Sequence, residues 1–214
     1  MASKRAAAWI VLTLSLTING ADPHPHVEDL HIRGSRVLVA TDHGLFASRD
    51  RGATFTLLRF GPTRSVVTLA MSPGGRVVVA TPIAVYASND DLNFSKVAGV
   101  GIRGLKTLAF APGSENTLFA ATSYGLLVSP DAGRSWFDTN TPLGRVTGLT
   151  QHPDGQTIFA ADADIKTVFV SRDGGLNFWP IVAEGLPSQR TFALAIESSK
   201  GSRPSRLIVA ASGG

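Results

Sequence analysis

Apolar and polar positions alternate in short runs through most of the chain, and the runs come in groups of four. His26 to Arg33, Arg36 to Asp42, Gly44 to Ser48 and Thr54 to Phe60 make the first group. The same order returns at Val66 to Ser72, Arg76 to Thr81, Ala84 to Ser88 and Phe94 to Ala98. It returns again at Leu105 to Ala111, Thr117 to Thr122, Gly125 to Ser129 and Trp136 to Asp138. A fourth group covers Val146 to His152, Thr157 to Asp162, Thr167 to Ser171 and Phe178 to Val182, and a fifth stops after Thr191 to Ser198 and Arg206 to Ala211. A period of two over four to eight residues, bounded by turn formers, predicts β-strands joined by tight turns. Pro73, Pro112 and Pro153 follow the first run of their groups, where a residue without an N–H ends a ladder. The second runs carry Val39-Ala40-Thr41, Val79-Ala80-Thr81 and Ala120-Ala121-Thr122, small residues beside branched ones, as sheets packed face to face require.

Between the third and fourth runs one phrase recurs. Ser129-Pro130-Asp131-Ala132-Gly133-Arg134-Ser135-Trp136 is echoed by Ser48 to Phe55 and Ser171 to Phe178, with serine, aspartate, glycine and a terminal aromatic at the same offsets. Ser88 to Phe94 is one residue shorter and has no glycine. Phe55, Phe94, Trp136 and Phe178 stand 39, 42 and 42 residues apart, a period that signals a stack of supersecondary units. The aspartate can accept backbone N–H groups further along the turn, the glycine can take a positive φ, and the aromatic supplies a large side chain to bury.

This pattern resembles the Asp-box, or BNR repeat, of sialidases, sortilin-type receptors and the photosystem II assembly-factor family of propellers, over roughly residues 26 to 212. The resemblance implies an all-β fold, a β-propeller of four-stranded antiparallel blades. Four complete blades are expected over about 26–60, 65–98, 105–142 and 145–182, with a partial fifth over 190–212. It also implies that the box joins the third and fourth strands at the periphery and is structural. Its members here are Ser48, Asp50, Gly52, Phe55; Ser88, Asp90, Phe94; Ser129, Asp131, Gly133, Trp136; and Ser171, Asp173, Gly175, Phe178. A blade without its outer strands leaves an apolar face and a strand edge uncovered. The chain is then a fragment of a larger propeller, or is closed by an N-terminal strand, or self-associates at the open edge.

Residues 22–214 read as a single domain, and the 214-residue chain, 43% hydrophobic and 17% charged, is long enough for a sizeable core. With no cysteine, disulfides and thiolate metal sites are excluded. The formal charge of +4 is dispersed and includes Lys4 and Arg5 at the extreme N-terminus, so a nucleic-acid partner is not expected. Those two residues precede the uncharged stretch Ala6 to Ile18, which has the layout of a signal peptide over residues 1–21 and is too short for a stable membrane span. Export to a periplasmic, extracellular or cell-surface location follows from that reading. The alternation of Leu12, Leu14, Leu16 and Ile18 with Thr13, Ser15 and Thr17 equally fits a ring-closing strand.

Candidate chemistry is sparse. His24, His26 and Glu28 alternate along an extended segment, with His31 and His43 nearby, a weak pattern for a metal site against an ordinary solvated cluster. Asp162-Ala163-Asp164 matches two rungs of a calcium loop without the remaining ligands. Asp50, Asp90, Asp131 and Asp173 belong to four separate turns and cannot meet as catalytic carboxylates. Sialidase resemblance implies an arginine triad, a tyrosine paired with a glutamate and an aspartate acid/base. Only Tyr86 and Tyr124 are present, both in or beside the second-to-third strand hairpin, and no triad can be assigned. Arg33, Arg36, Arg49, Arg51, Arg59 and Arg64 make the first unit locally basic. No catalytic residue and no cofactor is expected. The resulting expectation is a non-catalytic exported scaffold that binds a protein or glycan partner through loops or channel, with a degenerate sialidase-type glycoside hydrolase as the alternative.

Overall fold

The computed structural model describes residues 26–62, 65–90, 92–98, 101–139, 141–152, 154, 156–181, 191–197 and 205–211. The first sheet holds β1 (Val27–Arg33), β2 (Arg36–Thr41), β3 (Gly44–Ser48) and β4 (Thr56–Leu58). The second holds β5 (Thr68–Met71), β6 (Val77–Ala80), β7 (Val85–Ser88) and β8 (Ser95–Ala98). The third holds β9 (Leu105–Phe110), β10 (Leu118–Thr122), β11 (Gly125–Ser129) and β12 (Phe137–Asp138). The fourth holds β13 (Val146–Gln151), β14 (Ile158–Asp162), β15 (Thr167–Ser171) and β16 (Trp179–Pro180), and β17 (Thr191–Glu197) pairs with β18 (Arg206–Ala211) in a fifth. Each complete sheet is an antiparallel meander in chain order.

First strands of successive sheets lie side by side, β1 on β5, β5 on β9, β9 on β13 and β13 on β17, so the sheets radiate from one axis. The expectation of an all-β propeller array with four full blades and a two-stranded fifth is met. The cores lie between blades. Leu38, Ala40 and Leu45 pack on Val66, Leu69, Val77 and Val79; Val78 and Val85 pack on Leu105, Leu108, Phe110 and Leu118; Phe119 and Leu126 pack on Val146, Ile158 and Phe169. Small residues such as Ala40, Ala80 and Ala120 in the second strands let neighbouring sheets approach closely. Polar ties join the inner strands: Asp29 accepts from the Thr68 hydroxyl at 2.7 Å and the Leu69 amide at 3.1 Å, and Leu108 N–H donates to Thr68 Oγ1.

The fourth strands are shorter than the alternation suggests, because Phe94, Trp136 and Phe178 leave the sheet and enter the interface with the preceding blade. Phe94 joins the cluster between the first and second sheets and stacks on Phe60 at 4.7 Å; Trp136 and Phe178 do the same one and two blades further on. Phe55 covers Val37, Val39 and Phe46 on the opposite face of the first sheet. At that end of the array β1 leaves Val27, Leu30 and Ile32 exposed.

Candidate binding face at the hairpin tips

All four boxes share one hydrogen-bond plan. The buried serine hydroxyl donates to the aspartate and accepts N–H groups of the turn: Ser129 Oγ donates to Asp131 at 2.9 Å and accepts from Gly133 N–H at 2.8 Å. Ser48 and Ser171 repeat it with Gly52 and Gly175, while Ser88, whose box lacks the glycine, keeps only the aspartate. The aspartate also accepts the backbone and side chain of the residue before the aromatic, namely Thr54, Asn93, Ser135 and Asn177. Sequence reasoning missed this donor position; the signal was there, since all four copies carry a hydroxyl or amide at it. Backbone N–H and side-chain bonds from Asn177 outweigh burial and hold Asp173 down to about 2. Burial of Asp131 is likewise overcome by bonds from Ser135 and Ser129, and its pKa falls to about 2. These carboxylates, engaged at both oxygens, are turn staples at separate corners.

The histidine segment does not assemble a ligand set among the described residues. A β-bulge between Val27 and Asp29 places Glu28 outside the ladder and breaks the alternation that put His26 and Glu28 on one face. His26 donates its backbone N–H to Asp42, whose carboxylate also holds His43 Nδ1 at 2.6 Å, and His31 sits 3.8 Å from Asp29. His24 lies outside the described residues. Asp162 is buried and caps its hairpin, accepting Asp164, Ile165 and Gly144 N–H groups, so the calcium-like phrase is a turn. Tyr86 is buried edge-on to Phe60, and Tyr124 stands at a hairpin tip. Of the described glutamates, Glu28 is on β1, Glu115 holds Ser72 and Gly74 in a turn, and Glu197 faces Arg206.

The face that does gather exposed side chains lies at one end of the blades. In an antiparallel meander the second-to-third hairpins and the crossovers to the next blade share that end. Buried Thr41, Thr81 and Thr122 each donate to a carbonyl three residues on, at 2.9 Å, locking three hairpins, and Asp162 serves the fourth. Crossovers press on the tips: a Cβ on Gly101 would come 2.0 Å from the Pro82 carbonyl oxygen, and one on Gly104 2.9 Å from the Tyr124 ring. On these rigid turns Ile83, Tyr124 and Ile165 are 52, 66 and 54% exposed. Arg103 lies over the Tyr124 ring at 4.9 Å, and Arg145 pairs with Asp164 at 3.3 Å. The face thus presents apolar tips flanked by cations, a composition suited to recognition.

Radial four-stranded sheets cornered by Asp-boxes define the class: an Asp-box β-propeller array. Solved structures agree. An ancestral GH74 enzyme matches with 16% identity over 88% of this chain and 29% of that one, TM-score 0.65. The GH74 xyloglucanase of Xanthomonas campestris matches with 16% identity over 81% of this chain and 32% of that one, TM-score 0.63. YCF48 of Cyanidioschyzon merolae matches with 14% identity over 80% of this chain and 60% of that one, TM-score 0.58. The chain therefore spans less than two thirds of each of these structures. No protein-family model and no curated protein matches the sequence.

Proposed function

We propose that the chain is a non-catalytic, exported propeller scaffold whose hairpin-tip face binds a protein or glycan partner. The observation that carries this reading is the row Ile83, Tyr124 and Ile165 at equivalent tips of three successive blades. Large side chains on turns already fixed by buried hydrogen bonds lose little freedom on binding, so more of their desolvation appears as affinity. Export is supported by Lys4 and Arg5 ahead of an uncharged stretch, and N-terminal sequencing of the secreted product tests it. The binding reading is tested by probing peptide and glycan arrays, xyloglucan oligosaccharides included, with purified protein and an Ile83→Ser/Tyr124→Ala variant. Capture by the parent and loss in the variant, at unchanged melting temperature, is expected. Equal capture by both proteins, or turnover of a fluorogenic sialoside or of xyloglucan, overturns the reading.

A further inference from the structure

Every blade meets the next through the same pair of surfaces, and the strand register makes them comparable. One surface is a knob on the second strand. Leu38, Val78 and Phe119 hold this position, opposite His31, Ala70 and Ala109 of their first strands, and none is more than 2% exposed. The other surface is the first strand of the following blade: Leu38 packs with Val66 and Leu69, Val78 with Leu105 and Leu108, and Phe119 with Val146.

The two ends of the array carry these same two surfaces uncovered. On β1 the receiving positions are Val27, Leu30 and Ile32, which are 55, 44 and 60% exposed, whereas Val66 and Leu69 at the equivalent places on the second blade are 1 and 0% exposed. On β18 the knob position, opposite Ala195, is Ile208, which is 53% exposed. Ala195 and Ala210 beside it are exposed as well. Since both surfaces face solvent in one chain, the chain does not cover either with the other.

The two surfaces also match in extent. The outer half of the first blade's free face is closed, with Val37, Val39 and Phe46 buried beside Phe55 and Leu57, so the open strip is the inner strand. A sheet of two strands, β17 and β18, carries its knob on the strand next to the axis-side one, where Leu38 and Val78 stand in full blades. The strip is apolar in its backbone too. Leu69 and Leu108 donate their N–H groups to the preceding blade, whereas the equivalent Leu30 N–H is taken by its own Asp29 at 2.8 Å. Terminal repeats that stay solitary carry a polar outer face, which Val27, Leu30, Ile32 and Ile208 do not supply.

We propose that the chain assembles head to tail with a second copy of itself, Ile208 on the fifth sheet of one copy docking on Val27, Leu30 and Ile32 of the other, so that the blade stack continues across the junction. The contact joins two different surfaces and is therefore heterologous; it closes into a ring or runs on according to the rotation between blades. The junction lies on sheet faces and leaves the hairpin tips free, so assembly and partner binding succeed or fail independently.

The test is complementation between two variants, each blocked on one surface. Purified parent, Ile32→Glu, Ile208→Glu and an equimolar mixture of the two variants are compared by sedimentation velocity at a concentration where the parent is associated. Each variant alone is expected to sediment as one protomer, because it has lost one half of every junction. The mixture is expected to form a species of twice the protomer mass and no larger, since Ile208 of the Ile32→Glu copy still meets an intact β1 on the Ile208→Glu copy. A parent that stays at one protomer mass at all concentrations overturns the proposal, as does a mixture that stays at one protomer mass. Association of either variant alone at the parent's level also overturns it, and points to a symmetric contact such as pairing of two β18 edges. Both residues are exposed, so circular dichroism of the variants should match the parent. If a glutamate disturbs folding, Ile32→Thr and Ile208→Thr serve instead, each weakening association about tenfold; unchanged association in both overturns the proposal.

Discussion

Adjacent glycines in the fourth box offer a controlled test of how the blades are held together. Gly174 has φ +71° and nothing within 4 Å of a would-be Cβ, whereas Gly175 has φ +93° and would place that atom 2.1 Å from Phe119 Cζ. Ala132 occupies the position equivalent to Gly174 with φ +56°, so Gly174→Ala asks the chain only for a conformation another box already holds. Its cost is the left-handed backbone term, about 1–2 kcal/mol. Gly175→Ala carries a comparable backbone term and must also displace a ring buried between the third and fourth blades, adding about 1–3 kcal/mol of overpacking. The total for Gly175→Ala is then about 2–5 kcal/mol. Urea unfolding of the two variants beside the parent, followed by tryptophan fluorescence and circular dichroism together, measures the difference, and coincidence of the two probes checks that blades unfold as a unit. Equal destabilisation by the two substitutions would refute the claim that the box glycine lies against the preceding blade.

Three further outcomes are expected. Asp131 and Asp173 have folded pKa values near 2, below the unfolded value of about 3.9, so their contribution is complete above the unfolded value and is lost as pH falls through the folded one. Melting temperature should therefore hold down to about pH 4 and drop toward pH 2, and an Asp131→Asn/Asp173→Asn variant should show a flatter acid limb; parallel curves would exclude the staple role. Because Tyr124 and Ile165 are mostly exposed, Tyr124→Ser and Ile165→Ser should change stability by less than about 0.5 kcal/mol, measured by urea titration. Exposed Val27, Leu30 and Ile32 on β1 predict a light-scattering mass that rises with concentration and falls in Ile32→Glu; a constant monomeric mass in the parent would contradict it.

Strand existence and order were legible because the period of two is clean wherever one sheet buries a face against the next. β3, β11, β15 and β18 begin and end where the pattern does. The fourth strands were overdrawn for a physical reason: Phe94, Trp136 and Phe178 look like strand starters in sequence, yet each turns out of its sheet into the neighbouring interface. The alternation of His26 with Glu28 does not carry into the strand, because alternation assumes a regular ladder. Bulges occur at the second residue of the first strand in four sheets, at Glu28, Lys106, Thr147 and Phe192. Buried Thr41, Thr81 and Thr122 were visible as a repeated ending but not as hairpin locks, since a threonine at a strand end serves equally as an ordinary strand former.

Repetition itself indicates where binding chemistry can reside. The boxes recur because every blade needs the same corner, and a side chain fixed by that need, such as Asp131 with its bonds to Ser129, Arg134 and Ser135, is already engaged at both carboxylate oxygens. Freedom lies where the copies differ at equivalent positions: His43, Ile83, Tyr124 and Ile165 at the hairpin tips, and Leu92, 56% exposed, in the shortened second box. At the tips, variation costs little stability because the locking threonines sit beneath them. In the second box the shorter turn still leaves Asp90 bonded to Ser88, Leu92 and Asn93, so the corner survives the loss of the glycine. A repeat can thus vary the length of a turn while retaining its hydrogen bonds, and that separation is what allows a structural motif to change at its surface without loss of the blade.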